Sequence, residues 1–444
     1  MPRSVPLSKF AVAVLALAPM ALAQQEPLAT VRTWFATPVA NRGAAPGADL
    51  AVDAAAIAKW LPDLTAACRD GDRALGRETL PPIEPDPEQA MLARELRVGD
   101  FTFPYVLLAK GERPAGGWPL YLCLHGGGGN GEAKGPHAWD VNDREWAAQK
   151  TLWARIYPSP GLYFIPRMAD DRQGRWYFDH NQAAFDDVIR QAILFRDVDP
   201  DRVYLMGISE GGYGAIRFAG NRPDRFAACG GMAAAEPLAT SPPENMRNVA
   251  LRIDIGEKDT MFDRVGLARR MGERLGELHS QDARGYDFVV NVQAGRGHGI
   301  DYRPCPQWLA TKVRNARPDR IVWSVRPFHT TLALQNGWLA LDAAPTTMPL
   351  HLTATLRDNR LELLAEIDDA DKPGARQPAP NGRVLVRLDA QLCDLTRPVA
   401  IRVNGKERAA AQPQTTLATM VRTLAERGDP RLCFPAELVV ELAP

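Results

Sequence analysis

The sequence predicts an α/β protein whose middle part is a mostly parallel β-sheet flanked by helices. From about residue 99 to 318, short apolar runs bounded by Gly and Pro alternate with amphipathic helical stretches, as in β-α-β units. The chain has 444 residues, which is too long for a single core. Beyond about residue 319 the apolar segments become short, alternating and turn-bounded, which is typical of an antiparallel β-domain. We therefore expect a helical N-terminal extension before the sheet and a small C-terminal β-sandwich-like domain after it.

These changes of pattern divide the chain into four segments. They are a signal peptide at 1–23, a helical extension with a Pro-rich linker at 24–98, the α/β domain at 99–318 and the β-rich domain at 319–444. Residues 1–23 carry two basic residues, then an uncharged run that ends in Ala21-Leu22-Ala23, the layout of a secretory signal. We expect a secreted or periplasmic protein with no membrane span in the mature chain, an uncleaved N-terminal anchor being the alternative. The extension is a lid or a partner surface or, as we favour, a packing element.

Periodicity also predicts the individual elements. In the α/β domain we expect seven strands, at 105–109, 120–124, 162–166, 202–206, 226–232, 251–255 and 288–292. The clearest helices lie between strands, at 181–195, 212–220 and 262–278. In the C-terminal domain we expect strands at 321–325, 338–342, 350–355, 361–367, 384–388, 399–403 and 436–442, with a helix at 415–426. The pair Asn404-Gly405 favours a type I′ hairpin turn.

Charge and cysteine content limit the classes of partner. Lys plus Arg and Asp plus Glu both number 53, so the chain has no net positive charge that would favour binding to a nucleic acid. Six cysteines permit disulfides in an oxidising compartment, with Cys393 and Cys433 as the first pair to test. Cys123 and Cys229 lie in apolar runs and are expected to be small buried hydrophobes. Because no paired C-x-x-C spacing occurs, a thiolate metal site is disfavoured.

A candidate nucleophile lies in the segment Gly207-Ile208-Ser209-Glu210-Gly211. An apolar strand precedes this segment and a helix follows it. A nucleophilic serine needs this context because a sharp strand-to-helix turn exposes the hydroxyl at the sheet edge and tolerates only small flanking residues. The helix start also directs N–H groups at the site. Ser209 is therefore the predicted nucleophile.

Candidate partners for Ser209 follow later strands, in the order Ser, acid, His. Asp259 lies in the loop after the strand at 251–255, and His298, between two glycines, lies in the loop after the next strand. Residues at these strand ends face ligands in open α/β sheets. Glu257 is an alternative acid in the same loop, and Asp254 is disfavoured because it lies within the strand.

A glycine-rich loop after the strand at 120–124 predicts an oxyanion hole. Its sequence is His125-Gly126-Gly127-Gly128-Gly129. Glycines let a backbone N–H approach a developing oxyanion closely. We expect either Gly127 or Gly128 to supply one N–H and Glu210, the residue after the nucleophile, to supply the other.

Together these motifs resemble those of the α/β-hydrolase superfamily, and in particular of secreted bacterial esterases related to the prolyl-oligopeptidase and polyhydroxybutyrate-depolymerase groups. The resemblance covers about half the chain, from 99 to 318, and implies the fold and the Ser209, Asp259, His298 triad. One departure is Glu210, which stands where many relatives carry a small or aromatic residue. Its carboxylate either binds a cationic substrate group or, as we favour, forms a local salt bridge.

The expected activity is hydrolysis of a carboxylic ester through an acyl-enzyme, with a small-molecule or polymer-derived ester as substrate. This chemistry needs no metal and no organic cofactor. Two alternatives remain open: a serine peptidase of the prolyl-oligopeptidase type and a catalytically silent binding protein. The C-terminal domain is either a structural cap or a surface- or carbohydrate-contacting module. The Trp-rich stretch from 134 to 179 either walls the substrate pocket or packs a covering layer.

Overall fold

A computed structural model describes residues 17–443 of the chain. Residues 1–16, which form most of the predicted signal peptide, lie outside the described residues. Within the described part, no helix is both long and apolar enough to cross a membrane. The described part of the chain begins with three α-helices: α1 (Leu17–Phe35), α2 (Ala54–Ala74) and α3 (Pro87–Ala90).

The central element is a single eight-stranded sheet. Its strands are β1 (Arg94–Val98), β2 (Phe101–Lys110), β3 (Trp118–Leu124), β4 (Gly161–Pro166), β5 (Val198–Ile208), β6 (Ala228–Met232), β7 (Ala250–Gly256) and β8 (Phe288–Gln293). In space they follow the order β1-β2-β4-β3-β5-β6-β7-β8. The β1-β2 and β2-β4 pairs are antiparallel, and every later pair is parallel. The predicted, mostly parallel sheet is confirmed.

Helices cover both faces of this sheet. They are α4 (Asp140–Arg155), α5 (Asp179–Phe195), α6 (Glu210–Asn221), α7 (Arg264–Gln281) and α8 (Pro304–Leu309). Alternate residues of β3 enter different cores, as the two-residue period of a strand requires. Leu122 packs into the core beneath α5, α6 and α7, whereas Tyr121 and Cys123 pack into the core beneath α4 and α8. The sheet is thus buried on both sides, as is usual for parallel strands.

Among the described residues, the C-terminal region contains three further sheets and one α-helix. Its elements are β9 (Arg320–Val325), β10 (Pro327–Phe328), β11 (Thr331–Leu332), β12 (Gln335–Asn336), β13 (Leu339–Ala340), β14 (Leu350–Arg357), β15 (Arg360–Asp368), β16 (Arg376–Pro378), β17 (Arg383–Leu388), β18 (Val399–Val403), β19 (Lys406–Ala411), α9 (Leu417–Arg427) and β20 (Ala436–Glu441). One sheet has the order β19-β18-β15-β14-β9 with β16 on β15, and a second has the order β12-β13-β17-β20. The third is the two-stranded sheet β10-β11. The predicted hairpin turn is confirmed, since Asn404 and Gly405 both have positive φ between paired strands β18 and β19.

The N-terminal extension packs against the C-terminal region. Val31 of α1 and Leu64 of α2 share a core with Leu417 and Met420 of α9. This packing accounts for the apolar faces of α1 and α2. It favours the packing role of the extension over a lid.

The cysteine pairing allowed by the even count does not occur. All six cysteines lie within the described residues, and all six are free and buried. Cys123 and Cys229 are fully buried, as predicted. Cys393 and Cys433 form no disulfide, and the Cys433 thiol instead donates to the Met420 carbonyl.

Helix α4 was not among the predicted elements. Two of its buried positions hold Asn142 and Gln149 rather than apolar residues. Both side chains are buried because they hydrogen-bond to backbone atoms of the loop and strand around Leu124 and Gly128. Trp146, Leu152 and Trp153 of this helix pack against the core, but Asn142 and Gln149 interrupt the apolar pattern, so hydrophobic periodicity does not reveal the helix.

Candidate active site

Ser209 occupies the sharp turn between β5 and α6. Its backbone has φ 52° and ψ −113°, a conformation that residues with a side chain rarely adopt and that costs on the order of 1–3 kcal/mol. The Ser209 N–H donates to the Met232 carbonyl at 2.8 Å, which ties the turn to the end of β6. The strain is thus maintained by the surrounding structure, as at many functional sites.

The two outer glycines of the motif leave no room for a side chain. A Cβ at Gly207 would lie 2.2 Å from the Gly211 backbone. A Cβ at Gly211 would lie 2.3 Å from the Leu124 carbonyl oxygen. Both distances are far below van der Waals contact, so the turn requires glycine at each position.

Ser209, His298 and Asp259 form one hydrogen-bonded chain. The Ser209 Oγ lies 3.1 Å from His298 Nε2, and His298 Nδ1 lies 2.7 Å from Asp259 Oδ2. Asp259 is buried, with 4% exposure, whereas the His298 side chain is 47% exposed. In such a chain the acid keeps the proton on Nδ1 and leaves Nε2 free to accept the serine proton.

The two other candidate acids have structural partners instead. The Glu257 carboxylate accepts the Gly295 N–H at 2.8 Å, within the loop that carries His298. Asp254 is fully buried in β7, where Arg252 donates to it at 2.6 Å. Of the three acids, the structure brings only Asp259 to His298.

The loop after β3 holds two glycines in the left-handed region, Gly127 at φ 88° and Gly128 at φ 131°. The Gly128 N–H donates to Asn142 Oδ1 at 3.1 Å, so this N–H is not available to an oxyanion. Of the two predicted alternatives, Gly127 and Gly128, this contact leaves Gly127 as the candidate donor. Among the described residues none accepts a hydrogen bond from the Gly127 N–H or from the Glu210 N–H. These two N–H groups are therefore the available pair.

The positions of these residues on the sheet decide the fold. The nucleophile turn follows β5, Asp259 follows β7 and His298 follows β8, in a sheet of order β1-β2-β4-β3-β5-β6-β7-β8. The core of the chain has the α/β-hydrolase fold. The predicted fold class is confirmed.

Known proteins similar to this chain include several esterases. A 179-residue segment, 39% of this chain, is 35% identical to the inferred esterase NocK of Nocardia uniformis subsp. tsuyamanensis. The match covers 50% of NocK, so the chain spans about half the length of this curated relative. No family model matches the chain.

The solved structures show only a distant likeness. A thermostable esterase aligns with a TM-score of 0.38 and 20% identity, over 51% of this chain and 64% of that one. A carboxylesterase from Mesorhizobium loti aligns with a TM-score of 0.33 and 18% identity, over 49% of this chain and 99% of that one. The fold assignment therefore stands on strand order and on the placement of the site.

A buried polar network holds the glycine loop of the α/β-hydrolase core. Asn142 accepts the Gly128 N–H and donates to both the Gly128 carbonyl at 3.0 Å and Asp171 at 2.7 Å. Asp171 in turn accepts two hydrogen bonds from Arg167, and all three side chains are buried. Burial alone would raise the pKa of Asp171, but the hydrogen bonds from Arg167 and Asn142 hold it below its ordinary value. This support could not be predicted from the sequence, because residues so far apart form no local pattern.

His125 has a structural role at the start of the same loop. Its ring is fully buried, Nε2 accepts the Met168 N–H at 3.0 Å, and Nδ1 lies 2.6 Å from the Gly126 carbonyl. Burial lowers the pKa of His125 to about 4, so the ring is neutral near pH 7. A neutral ring with a protonated Nδ1 satisfies both contacts.

Arg264 holds the Asp259 carboxylate by the oxygen that His298 does not use. It donates to Asp259 Oδ1 at 2.9 Å and to the Tyr213 hydroxyl at 2.6 Å. Asp259 thus has one oxygen for His298 and one for Arg264. This arrangement fixes the carboxylate and connects it to α6, which begins at the nucleophile turn.

The predicted salt bridge of Glu210 is present. Its carboxylate Oε2 accepts from Arg175, which lies in the stretch between β4 and α5. Glu210 is only 3% exposed, and this burial raises the pKa of its carboxyl group to about 7. A cavity of about 330 Å³ adjoins Glu210.

The tryptophans between 134 and 179 do not line this cavity. Trp176 is fully buried and donates to the His125 carbonyl at 2.9 Å, and Trp146 donates to the Ile165 carbonyl at 3.0 Å. Their packing role is the one that the structure supports. Within residues 17–443, no group of three His, Cys, Asp or Glu side chains is placed to hold a metal ion.

Replacing Asn142 with Ala should loosen the glycine loop. The variant removes both hydrogen bonds to Gly128, so the amides of Gly127 to Gly129 should exchange with deuterium about tenfold faster, or more. Hydrogen exchange read by mass spectrometry or NMR measures this. Asn381→Ala, an exposed change in the C-terminal region, is the matched control. Unchanged exchange in the loop of Asn142→Ala would contradict the bracing role.

Proposed function

We propose that this protein is a serine hydrolase that cleaves carboxylic esters through an acyl-enzyme. The observation that supports the proposal most is the hydrogen-bonded chain from Ser209 through His298 to Asp259, at the carboxyl edge of the sheet. The names of the esterases to which the chain is similar agree with it. In this proposal the catalytic residues are Ser209, His298 and Asp259, and the N–H groups of Gly127 and Glu210 form the oxyanion hole.

In the first step the Ser209 Oγ attacks the ester carbonyl carbon while its proton moves to His298 Nε2. The carbonyl oxygen takes the electron pair and becomes an oxyanion. The N–H groups of Gly127 and Glu210 donate to it, and each such donor is worth roughly 3 kcal/mol in the transition state. Asp259 stabilises the imidazolium that forms.

The intermediate then collapses to the acyl-enzyme. The bond from the carbonyl carbon to the alcohol oxygen breaks, and His298 gives its proton to that oxygen. A water molecule repeats the sequence: His298 takes its proton, the water oxygen attacks the acyl carbon, and the Ser209 oxygen leaves with the proton returned. The products are one alcohol and one carboxylic acid.

Purified protein should hydrolyse short p-nitrophenyl esters faster than peptide p-nitroanilides. Ser209→Ala should lower kcat for the esters by about 10⁴-fold or more, because no other group supplies the nucleophile. Ser280→Ala, an exposed serine on α7, is the matched control and should behave like the wild type. Faster anilide than ester turnover would replace the esterase proposal by a peptidase. If neither the esters nor the anilides are hydrolysed, the result would favour the catalytically silent binding protein instead.

The acid is tested by a pair of isosteric changes in one loop. Asp259→Asn should lower kcat by about 10³- to 10⁴-fold, because an amide no longer keeps the proton on Nδ1 of His298. Glu257→Gln should change kcat only a few-fold, since its carboxylate accepts a backbone N–H away from His298. Ester kinetics and thermal unfolding of both variants measure catalysis and folding separately. A larger loss in Glu257→Gln would refute the assignment.

A further inference from the structure

A carboxylate that has no part in the bond-breaking steps above lies beside the nucleophile. It belongs to Glu145 of α4, the helix that also carries Asn142. A Cβ built on Gly126 would lie 2.5 Å from Glu145 Oε2 and 3.5 Å from Ser209 Cβ, so these two atoms lie within about 6 Å of each other. The carboxylate can approach the nucleophile this closely because Gly126 has no side chain.

Glu145 also borders the glycine loop. A Cβ built on Gly127, the residue whose N–H is available to an oxyanion, would lie 3.6 Å from Glu145 Cγ. In the proposed mechanism the carbonyl oxygen becomes negatively charged at this loop. A negative charge so close opposes the developing oxyanion unless a positive charge balances it.

No side chain in the described part of the chain balances this charge at short range. No described Lys, Arg or His nitrogen lies within 4.0 Å of the Glu145 carboxylate, and no described group donates a hydrogen bond to it. The other two carboxylates beside the nucleophile are paired. Glu210 is paired with Arg175. Asp259 is paired with Arg264. Of these three acids, Glu145 is the one whose charge is left unbalanced.

The Glu145 carboxylate is open to a ligand. The residue is half-buried, and neither of its carboxylate oxygens is closed off from solvent, in contrast to Glu210 Oε1. The neighbouring Gly127 is exposed, and Ser209 is partly exposed. A substrate whose carbonyl lies between Ser209 and the glycine loop can therefore extend a group to Glu145.

An aromatic side chain lies near this carboxylate. Tyr302, just before α8, is partly buried and packs against the core beneath α4 and α8. Burial raises the pKa of the Tyr302 hydroxyl, and the negative charges of Glu145 and Asp259 raise it further, so the hydroxyl lies near both acids. A carboxylate together with an aromatic ring is a combination that binds ammonium groups.

The unbalanced charge selects the kind of ligand group. A neutral hydroxyl can donate to Glu145, but it leaves the negative charge beside the oxyanion in place. An ammonium group on the substrate neutralises that charge when it binds. A carboxylate on the substrate would be repelled. The arrangement therefore favours a cationic substrate.

We propose that Glu145 selects esters that carry an ammonium group a few bonds from the scissile carbonyl. The inference rests on the proposed esterase function and adds the substrate class. In this role Glu145 determines specificity: its carboxylate contacts the cation of the substrate and takes no part in proton transfer.

Isosteric pairs of esters test this role on both sides of the scissile bond. On the alcohol side the pair is 2-(trimethylammonio)ethyl acetate and 3,3-dimethylbutyl acetate. On the acyl side it is methyl 4-(trimethylammonio)butanoate and methyl 5,5-dimethylhexanoate. In at least one pair, kcat/KM should be about tenfold higher for the cationic member. This ratio should shrink between about 0.01 M and about 1 M salt, because salt screens the attraction. The salt dependence tests the charge without any variant.

Variants at Glu145 separate its charge from its size. Glu145→Gln keeps the size and removes the charge, so the ratio within the responsive pair should fall about tenfold relative to the wild type. Comparing this ratio between two proteins cancels the intrinsic reactivity of the esters. Glu145→Asp keeps the charge and should retain part of the ratio. Asp140→Asn is the matched control and should keep the full ratio, since Asp140 lies on the same helix but is exposed and paired with Arg144.

The outcomes distinguish the two proposals. Failure to hydrolyse these esters and p-nitrophenyl acetate alike would contradict the proposed function itself. Hydrolysis of p-nitrophenyl acetate without a preference for the cationic member of either pair would leave the esterase function standing and overturn the role of Glu145. A ratio that survives in Glu145→Gln, or that falls equally in Asp140→Asn, would also overturn it.

Discussion

The backbone of Ser209, held at φ 52° and ψ −113°, is the constraint on which the site depends. Its turn fits only because Gly207 and Gly211 bring two backbone segments closer than any side chain allows. The turn joins β5 to α6 and places the Ser209 hydroxyl toward the loops after β7 and β8. Because α6 begins at Glu210, the turn also sets the position of the Glu210 N–H. A displaced turn would separate Ser209 from His298 and from the glycine loop together.

Buried polar networks fix the groups around this turn. Arg167, Asp171 and Asn142 hold the glycine loop on one side, and Arg264 holds Asp259 and Tyr213 on the other. Such networks favour a single arrangement when every member has a partner. Glu210 Oε1 departs from this rule beside the nucleophile.

The sequence was sufficient for features that depend on local pattern. The strand-turn-helix around Ser209 and seven of the eight strands of the central sheet were predicted from glycine spacing and short-range periodicity. Strand β1 (Arg94–Val98) was not predicted, and it lies within the segment 24–98 that was expected to be a helical extension and a linker. Long-range contacts were not predictable in this way. Asn142 supports Gly128 across fourteen residues, and Asp171 supports Asn142 across twenty-nine, with no motif that joins them. The choice of Gly127 over Gly128 depends on that contact, which only the folded chain reveals.

The central claim is that Ser209 attacks a carbonyl whose oxyanion binds the N–H groups of Gly127 and Glu210. A crystal structure of the protein after reaction with a fluorophosphonate ester tests this directly, because the tetrahedral phosphorus resembles the intermediate. We expect a covalent bond from phosphorus to Ser209 Oγ and a phosphoryl oxygen within about 3 Å of both N–H groups. Phosphorus on another residue, or a phosphoryl oxygen turned away from both N–H groups, would contradict it.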